Sequence, residues 1–148
     1  MGLGKAADLA RKNLQTDCVR ITTLRNRLED ALLATCCDAR VNGDRAQRVS
    51  NTSNISFHAA GGESLVIALD LQGIACSTGA ACSSGAVGPS HVLLAIGLSP
   101  DEARSSLRFS IGRTTTAEEI DHAIATIPQA VERLRALSPL SANAAFST

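Results

Sequence analysis

Apolar residues in the first third of the chain recur at the spacing of an α-helix. The stripe consists of Leu14, Cys18, Ile21, Leu28 and Leu32, widened by Leu24 and Ala31. This 3.6-residue period predicts one long helix. Basic side chains cover much of the remaining surface, which is typical of a solvated helix face. We expect residues 1–36 to form a linker helix that leads into a small domain.

The pattern after this helix changes between short strands and short helices. Strict alternation at 54–57 and 107–111 predicts strands, and the apolar run at 74–76 predicts a further one. Short helices are predicted at 63–71 and 91–96. This mixture favours a compact two-layer α+β domain over a helical bundle or a repeat.

Two capping boxes mark the starts of further helices. Ser99 and Thr116 are each followed three residues later by a glutamate, the pattern in which side chains satisfy the first backbone N–H groups. Pro128 should bend or divide the last helix. We therefore expect a small α/β domain over 37–137 and a flexible tail over 138–148. The apolar stripe of the last helix is Ile120, Ala123, Ile124, Ile127, Val131 and Leu134.

Composition narrows the classes of function. The chain has 148 residues, of which 45% are apolar, enough for one domain with a core. Balanced charge (14 basic and 14 acidic residues) and 2% aromatic content argue against a nucleic-acid partner. No apolar run reaches the length of a membrane span. We therefore expect no membrane partner. Five cysteines without a CxxC pair indicate a reducing compartment, so we expect a cytoplasmic protein.

A single cysteine stands out among small residues. Cys82 lies in a run, 77–86, whose other members are only Gly, Ala, Ser and Thr. Such side chains cannot fill a core, so the run predicts an exposed, mobile loop over 77–89. An accessible thiolate can attack a sulfur atom and keep it as a persulfide. On composition alone, Cys82 could equally be a free cysteine in a surface loop with no role in catalysis. His91 is a candidate to lower the pKa of this thiol, and Cys76 is a candidate resolving thiol, although a core role suits Cys76 better.

Arg108 is the second candidate for chemistry. Strand alternation places Leu107 and Phe109 toward the core, so Arg108 faces the other way. A guanidinium in this position can bind a carboxylate through two parallel hydrogen bonds. An exposed strand arginine without a ligand is the alternative, and Arg113 could serve the same purpose.

Four segments resemble the C-terminal small domain of NifS-like cysteine desulfurases, within the class-V aminotransferase family. They occur in the family's order and cover nearly the whole chain, together with flanking matches near residues 2–7 and 51–57. The four segments are GGES at 61–64, STGAACSSG at 77–85, PSHVL at 89–93 and SLRFSIGR at 106–113.

The resemblance implies a fold and a reaction. It implies the small domain of a fold-type-I enzyme that depends on pyridoxal phosphate, with a short, mainly antiparallel sheet and helices on one face. The full-length enzymes of the family are homodimers. Such enzymes convert L-cysteine to L-alanine and pass the sulfur to an acceptor or scaffold protein for iron–sulfur cluster assembly or other pathways. Cys82 aligns with the persulfide cysteine, which could also ligate iron transiently. Arg108 aligns with the arginine that binds the substrate carboxylate.

One departure from the family is decisive for activity. The cofactor needs a lysine, which the family carries in a Ser-His-Lys-type motif of its large domain. The only lysines here are Lys5 and Lys12, both in the first helix. We therefore expect that this chain does not bind the cofactor covalently and is inactive alone, as a truncated gene or fragment would be. A stand-alone persulfide carrier and a remnant of a related aminotransferase or lyase remain as alternatives.

Overall fold

The computed structural model describes residues 2–78 and 88–138. Two segments lie outside this description. Segment 79–87 contains Cys82, and segment 139–148 is most of the predicted tail. The elements are α1 (Gly2–Thr35), β1 (Ala39–Val41), β2 (Thr52–Phe57), α2 (Gly62–Asp70), α3 (His91–Ala95), α4 (Pro100–Arg104), β3 (Ser106–Ser110) and α5 (Ala117–Leu137).

The three strands form an antiparallel sheet in the order β1-β2-β3. Ile55 of β2 pairs with Leu107 of β3, and both side chains are fully buried. The next pair, Asn54 with Arg108, therefore lies on the opposite face. That face is polar, so the two sides of the sheet differ in what they can contact.

Helices α1, α2 and α5 cover the apolar face of the sheet. Their buried side chains join those of β2 and β3 in one core, which confirms the two-layer α+β fold with a long first helix. Fully buried members of this core are Leu32, Ile55, Phe57, Leu65, Leu69, Leu107, Ile127 and Val131. Leu93, Leu98 and Ala103 form a second, small cluster between α3 and α4.

The amino-terminal part of α1 extends beyond this core. The helix has 34 residues, which corresponds to a length of about 51 Å. Leu14, a member of the predicted apolar stripe, is 61% exposed, whereas Ile21 and Leu24 are buried. The stripe includes Leu14 because helical periodicity continues beyond the point where the sheet and α5 end.

Two further expectations differ from the structure. The run 74–76 does not form a strand, because the N–H of Ile74 bonds to the carbonyl of Leu69 and closes the end of α2. Only Ser77 reaches β3, through a bridge to Arg108. The division of the last helix at Pro128 is wrong, since α5 continues through this residue as one element with Ile127 and Val131 fully buried on either side, and the alternative of a bend stays a prediction. Their packing outweighs the hydrogen bond that proline removes.

A buried ion pair ties α1 to the segment between β1 and β2. Glu29 is fully buried, and its carboxylate accepts from both terminal nitrogens of Arg48 at 2.6 Å and from Ser53 Oγ at 2.6 Å. Arg45 contacts the same carboxylate at 3.3 Å. Arg25, one turn earlier, donates to the carbonyls of Val49 and Ser50. The helix is thereby fixed to the sheet by charge as well as by apolar packing.

Helix α2 begins against the backbone that leads into β3. A Cβ atom at Gly62 would lie 2.5 Å from the carbonyl oxygen of Arg104 and 3.3 Å from that of Ser106. At Gly61 a Cβ would meet nothing closer than 3.8 Å. Only the second glycine of the pair is therefore needed for close packing.

We expect Gly62→Ala to lower the free energy of unfolding by about 1–3 kcal/mol, because backbone must move to admit the methyl group. Gly61→Ala, the matched control with φ of −64°, should change stability by less than about 1 kcal/mol. Urea titration of both variants measures the difference. Equal stabilities would contradict the tight approach at Gly62.

Candidate active-site face

Arg108 lies exposed on the polar face of the sheet. Its backbone N–H donates to Ser77 O at 2.6 Å, and its carbonyl accepts from Ser77 N at 3.1 Å. Both ends of the residue are thus held while the guanidinium stays accessible. Across residues 2–78 and 88–138, no carboxylate lies within ion-pair distance of this guanidinium. The arrangement leaves a fixed cation available to an external anion.

Other arginines near this region already have acidic partners. Arg40 contacts Glu102 at 3.5 Å on the same face of the sheet. Arg113, the alternative carboxylate ligand of the sequence analysis, contacts Asp17 of α1 at 2.9 Å. Arg113 is therefore tied to the long helix, and Arg108 is the better candidate.

The bridge to Arg108 also fixes where the Cys82 segment begins. Cys82 follows Ser77 by five positions, so their Cα atoms cannot be more than about 18 Å apart. A cavity of about 260 Å³ lies beside this point, and Thr78 and Gly88 contribute to its wall together with the start of α2. Cys82 itself falls outside the described residues, so its catalytic role stays a prediction.

The two candidate assistants of Cys82 differ in accessibility. Cys76 is half-buried, and burial, with a smaller effect from Asp70, raises the pKa of its thiol to about 11. This thiol stays protonated at neutral pH and is a poor nucleophile there. His91 is exposed at the first position of α3, and in the described part of the chain its ring makes no hydrogen bond.

We expect iodoacetamide to label Cys76 much more slowly than the exposed Cys37 at pH 7.5. Because the pKa of Cys76 is raised to about 11, its thiolate fraction should grow about tenfold per pH unit until about one unit below that value. Fragment mass spectrometry after timed labelling resolves each site. Equal rates for the two cysteines at pH 7.5 would contradict the burial of Cys76.

Asn54 was missed by the sequence analysis. It stands directly opposite Arg108 in the β2–β3 register and is half-buried. Alternation in β2 does place Asn54 on the polar face, which is a usable signal. Its partner on the next strand depends on the pairing register, which the sequence does not reveal.

The described residues offer no lysine in a position to hold pyridoxal phosphate covalently. Lys5 and Lys12 are exposed on the projecting part of α1, and Lys12 contacts Asp8 at 3.1 Å. Neither lysine lines the cavity beside Thr78. The chain's described part therefore offers no enclosed lysine for the cofactor.

The described residues show neither a metal-binding cluster nor a membrane-spanning helix. In the described ranges, no three side chains among His, Cys, Asp and Glu come together as a metal site would require. None of the helices described combines the length and apolar character needed to cross a bilayer. The predicted role of Cys82 as a transient iron ligand lies outside the described residues.

Comparison with known proteins decides the family. The sequence profile of the class-V aminotransferases matches residues 1–123. The chain belongs to the class-V aminotransferase family. Within that family it is 49% identical over 139 residues to a cysteine desulfurase from Nostoc sp., covering 94% of this chain and 35% of the relative. It is also 49% identical over 140 residues to the cysteine desulfurase IscS of Shewanella sp. (strain ANA-3), covering 95% and 34% respectively.

Solved structures agree with this family assignment. A NifS-like protein from Rickettsia africae superposes with a TM-score of 0.75 at 27% identity, covering 88% of this chain and 33% of that one. Another NifS-like protein has the same TM-score at 24% identity, which speaks for the fold alone. The resemblance to NifS-like cysteine desulfurases is thereby confirmed. This class-V chain spans about a third of the length of the curated relatives it matches.

Proposed function

We propose that this chain supplies two parts of a cysteine desulfurase, the thiol that accepts sulfur and the cation that binds the substrate carboxylate. Cys82 is the sulfur acceptor, and Arg108 binds L-cysteine. The observation that carries the proposal is the exposed Arg108 guanidinium, without an acidic partner among the described residues, on a strand bridged to Ser77. The 49% identity to cysteine desulfurases supports it independently.

The reaction balances with these groups. The Cys82 thiolate attacks the sulfur of L-cysteine, a sulfur–sulfur bond forms, and the carbon–sulfur bond breaks. The carbon leaves with the electron pair and takes up a proton, so L-cysteine and a thiol become L-alanine and a persulfide. The persulfide sulfur then passes to a sulfur-acceptor or scaffold protein, including one that assembles iron–sulfur clusters.

Arg108 contributes to the reaction by orienting the substrate. A guanidinium can bind a carboxylate through two parallel N–H donors, which fixes the plane of the amino acid as well as its distance. Because the Arg108 backbone bonds to Ser77 on one edge and β3 pairs with β2 on the other, little of this geometry is lost to strand motion. The bound substrate is thereby held within reach of the segment that carries Cys82.

The remaining machinery comes from polypeptide outside this chain. A lysine for pyridoxal phosphate has to be supplied there, so the chain is inactive by itself. In this proposal 1–36 is the linker helix, 37–137 the small domain with its catalytic loop at 77–89, and 138–148 a flexible tail. The complete enzyme acts as a homodimer, as the family resemblance implies, and in the cytoplasm, as the cysteine pattern indicates.

A chimeric enzyme tests the proposal. The matching 139-residue segment of the Nostoc cysteine desulfurase is replaced by this chain, and alanine formation from L-cysteine is measured with a reducing acceptor. The chimera should form alanine, and the isolated chain should form none and show no absorbance of lysine-bound cofactor. A cofactor-loaded chimera without activity, or an isolated chain that releases alanine, would refute the proposal.

A further inference from the structure

A chain of hydrogen bonds runs through the sheet beside Arg108. Ser106 Oγ lies 2.6 Å from the carbonyl oxygen of Glu102, and Ser56 Oγ lies 2.8 Å from Ser106 Oγ. Asn42 Nδ2 lies 2.8 Å from Ser56 Oγ, 3.2 Å from Ser106 Oγ and 2.6 Å from Asn54 Oδ1. Asn42, Ser56 and Ser106 are buried, so these contacts are shielded from water.

The direction of this chain is fixed at one end. A backbone carbonyl can only accept, so the Ser106 hydroxyl donates to Glu102 O. Its proton is then used, and Ser106 Oγ must accept from its neighbours. In the structure the amide nitrogen of Asn42 faces all three oxygens, and its two protons serve Asn54 Oδ1, the nearest acceptor, and the two serine hydroxyls. The single proton of Ser56 Oγ goes either to Ser106 Oγ at 2.8 Å or to Asn42 Oδ1 at 3.1 Å, and both choices are compatible with this orientation.

The orientation of Asn42 determines that of Asn54. Because Asn42 Nδ2 donates to Asn54 Oδ1 at 2.6 Å, the amide nitrogen of Asn54 points away from Asn42. This nitrogen has no hydrogen-bond partner in the described part of the chain. Asn54 thus offers two N–H donors that nothing in residues 2–78 or 88–138 uses.

Asn54 and Arg108 are neighbours on the same face. The backbone of Arg108 bonds outward to Ser77, and the carbonyl of Asn54 bonds to Asn42 on the other side. The two residues therefore form a non-hydrogen-bonded pair, the kind in which facing side chains approach most closely. The register therefore places a guanidinium and an amide donor at directly paired positions on one face of the sheet.

We propose that Asn54 is a second recognition residue for the carboxylate that Arg108 binds, and that Asn42 is the positioning residue that keeps the Asn54 amide nitrogen toward it. The ligand class is the α-carboxylate of an amino acid. This inference rests on the proposed function, because Arg108 must first be the carboxylate site. A carboxylate has two oxygens and about four acceptor positions, so it can take both donors.

Kinetics of the chimeric enzyme test the proposal. Asn54→Asp replaces the amide donor with a carboxylate in a side chain of the same size. It should raise KM for L-cysteine roughly 100-fold, with a smaller change in kcat. Asn42→Ala frees the Asn54 amide to rotate and should raise KM roughly threefold to tenfold. Asn51→Asp, the same substitution at an exposed position near the start of β2, is the matched control and should leave KM within about twofold.

The outcomes separate this inference from the function on which it rests. If Arg108→Ala raises KM and Asn54→Asp does not, Asn54 has no part in recognition and the inference fails alone. If neither substitution changes KM, the carboxylate site on this chain is wrong and both proposals fail.

A measurement on the intact wild-type chain avoids any effect of substitution on folding. L-Cysteine should shift the NMR signals of the Asn54 side-chain amide and of Arg108 Nε, whereas cysteamine, which lacks the carboxylate, should shift neither. A shift of the Arg108 signal without one at Asn54 would overturn the inference. Shifts of equal size with cysteamine would do so as well, because the carboxylate would then not be what is recognised.

Discussion

Replacing Glu29 with glutamine should lower the free energy of unfolding by about 3–5 kcal/mol, the largest stability effect expected for a single substitution in this chain. Glu29 is fully buried and accepts two hydrogen bonds from Arg48 and one from Ser53. The amide of glutamine cannot balance the charge of Arg48, whose side chain is only 14% exposed. Urea-induced unfolding followed by circular dichroism measures the loss.

Asp30→Asn is the matched control for this substitution. Asp30 is the next residue of α1 and also contacts an arginine, Arg45, but its side chain is 65% exposed. Exposed ion pairs contribute about 1 kcal/mol or less, so the control should be close to wild type. The double variant Glu29→Met with Arg48→Met should recover part of the stability lost in Glu29→Gln, because neither partner of this pair is left buried without the other. Equal losses for Glu29→Gln and Asp30→Asn would contradict the buried pair.

The ionisation of Glu29 also makes the free energy of unfolding depend on pH in the acid range. Burial alone would raise the pKa of Glu29, but hydrogen bonds from Arg48 and Ser53 and the charges of Arg48 and Arg45 lower it below its ordinary value. A carboxylate with a lowered pKa stabilises the fold above the pKa of the unfolded chain, about 4.3. Its contribution is lost as pH falls through the lower, folded pKa. The wild-type chain should therefore lose more stability below pH 4 than Glu29→Gln does.

Replacing Arg108 with alanine in the chimeric enzyme should lower kcat/KM for L-cysteine about 100- to 1,000-fold. This corresponds to roughly 3–4 kcal/mol, within the range for removing one partner of a charge-assisted, hydrogen-bonded pair. Arg108→Lys should recover only part of the loss, because an ammonium cannot form the two parallel hydrogen bonds of a guanidinium. Steady-state alanine formation measures both variants.

Arg40→Ala is the control for charge on the same face of the sheet. Arg40 contacts Glu102, so its charge is already balanced within the chain. Its removal should change kcat/KM by less than about threefold. Similar losses for Arg40→Ala and Arg108→Ala would mean that the face attracts the substrate by general charge and that Arg108 is not a specific ligand.

The sequence predicted most of the fold because most of its elements carry local signals. The capping boxes at Ser99 and Thr116 form as predicted, with both side-chain-to-backbone contacts present. Strand β1 was missed because three residues, Ala39–Val41, are too few for alternation to be read. The exposure of Leu14 and the undivided helix at Pro128 have a common cause. Periodicity and proline content are local, whereas burial depends on where the rest of the core lies.

The candidate site was predictable only in part for the same reason. Alternation was enough to place Arg108 on the polar side of its strand, and the structure confirms that position. The facing residue, Asn54, and the chain through Asn42 depend on pairing between segments distant in sequence, which no local pattern specifies. Cys82 was singled out by composition and resemblance, and its role stays a prediction.

The most direct test of the central claim is the mass of the peptide that contains Cys82. The chimeric enzyme is incubated with L-cysteine without a reductant, digested under non-reducing conditions and analysed by mass spectrometry. We predict one additional sulfur atom on Cys82 and none on Cys37 or Cys76, and no additional sulfur in the Cys82→Ser variant, which should also form no alanine. Alanine formation that continues in Cys82→Ser, with no sulfur gained at Cys82 in the parent, would contradict the account.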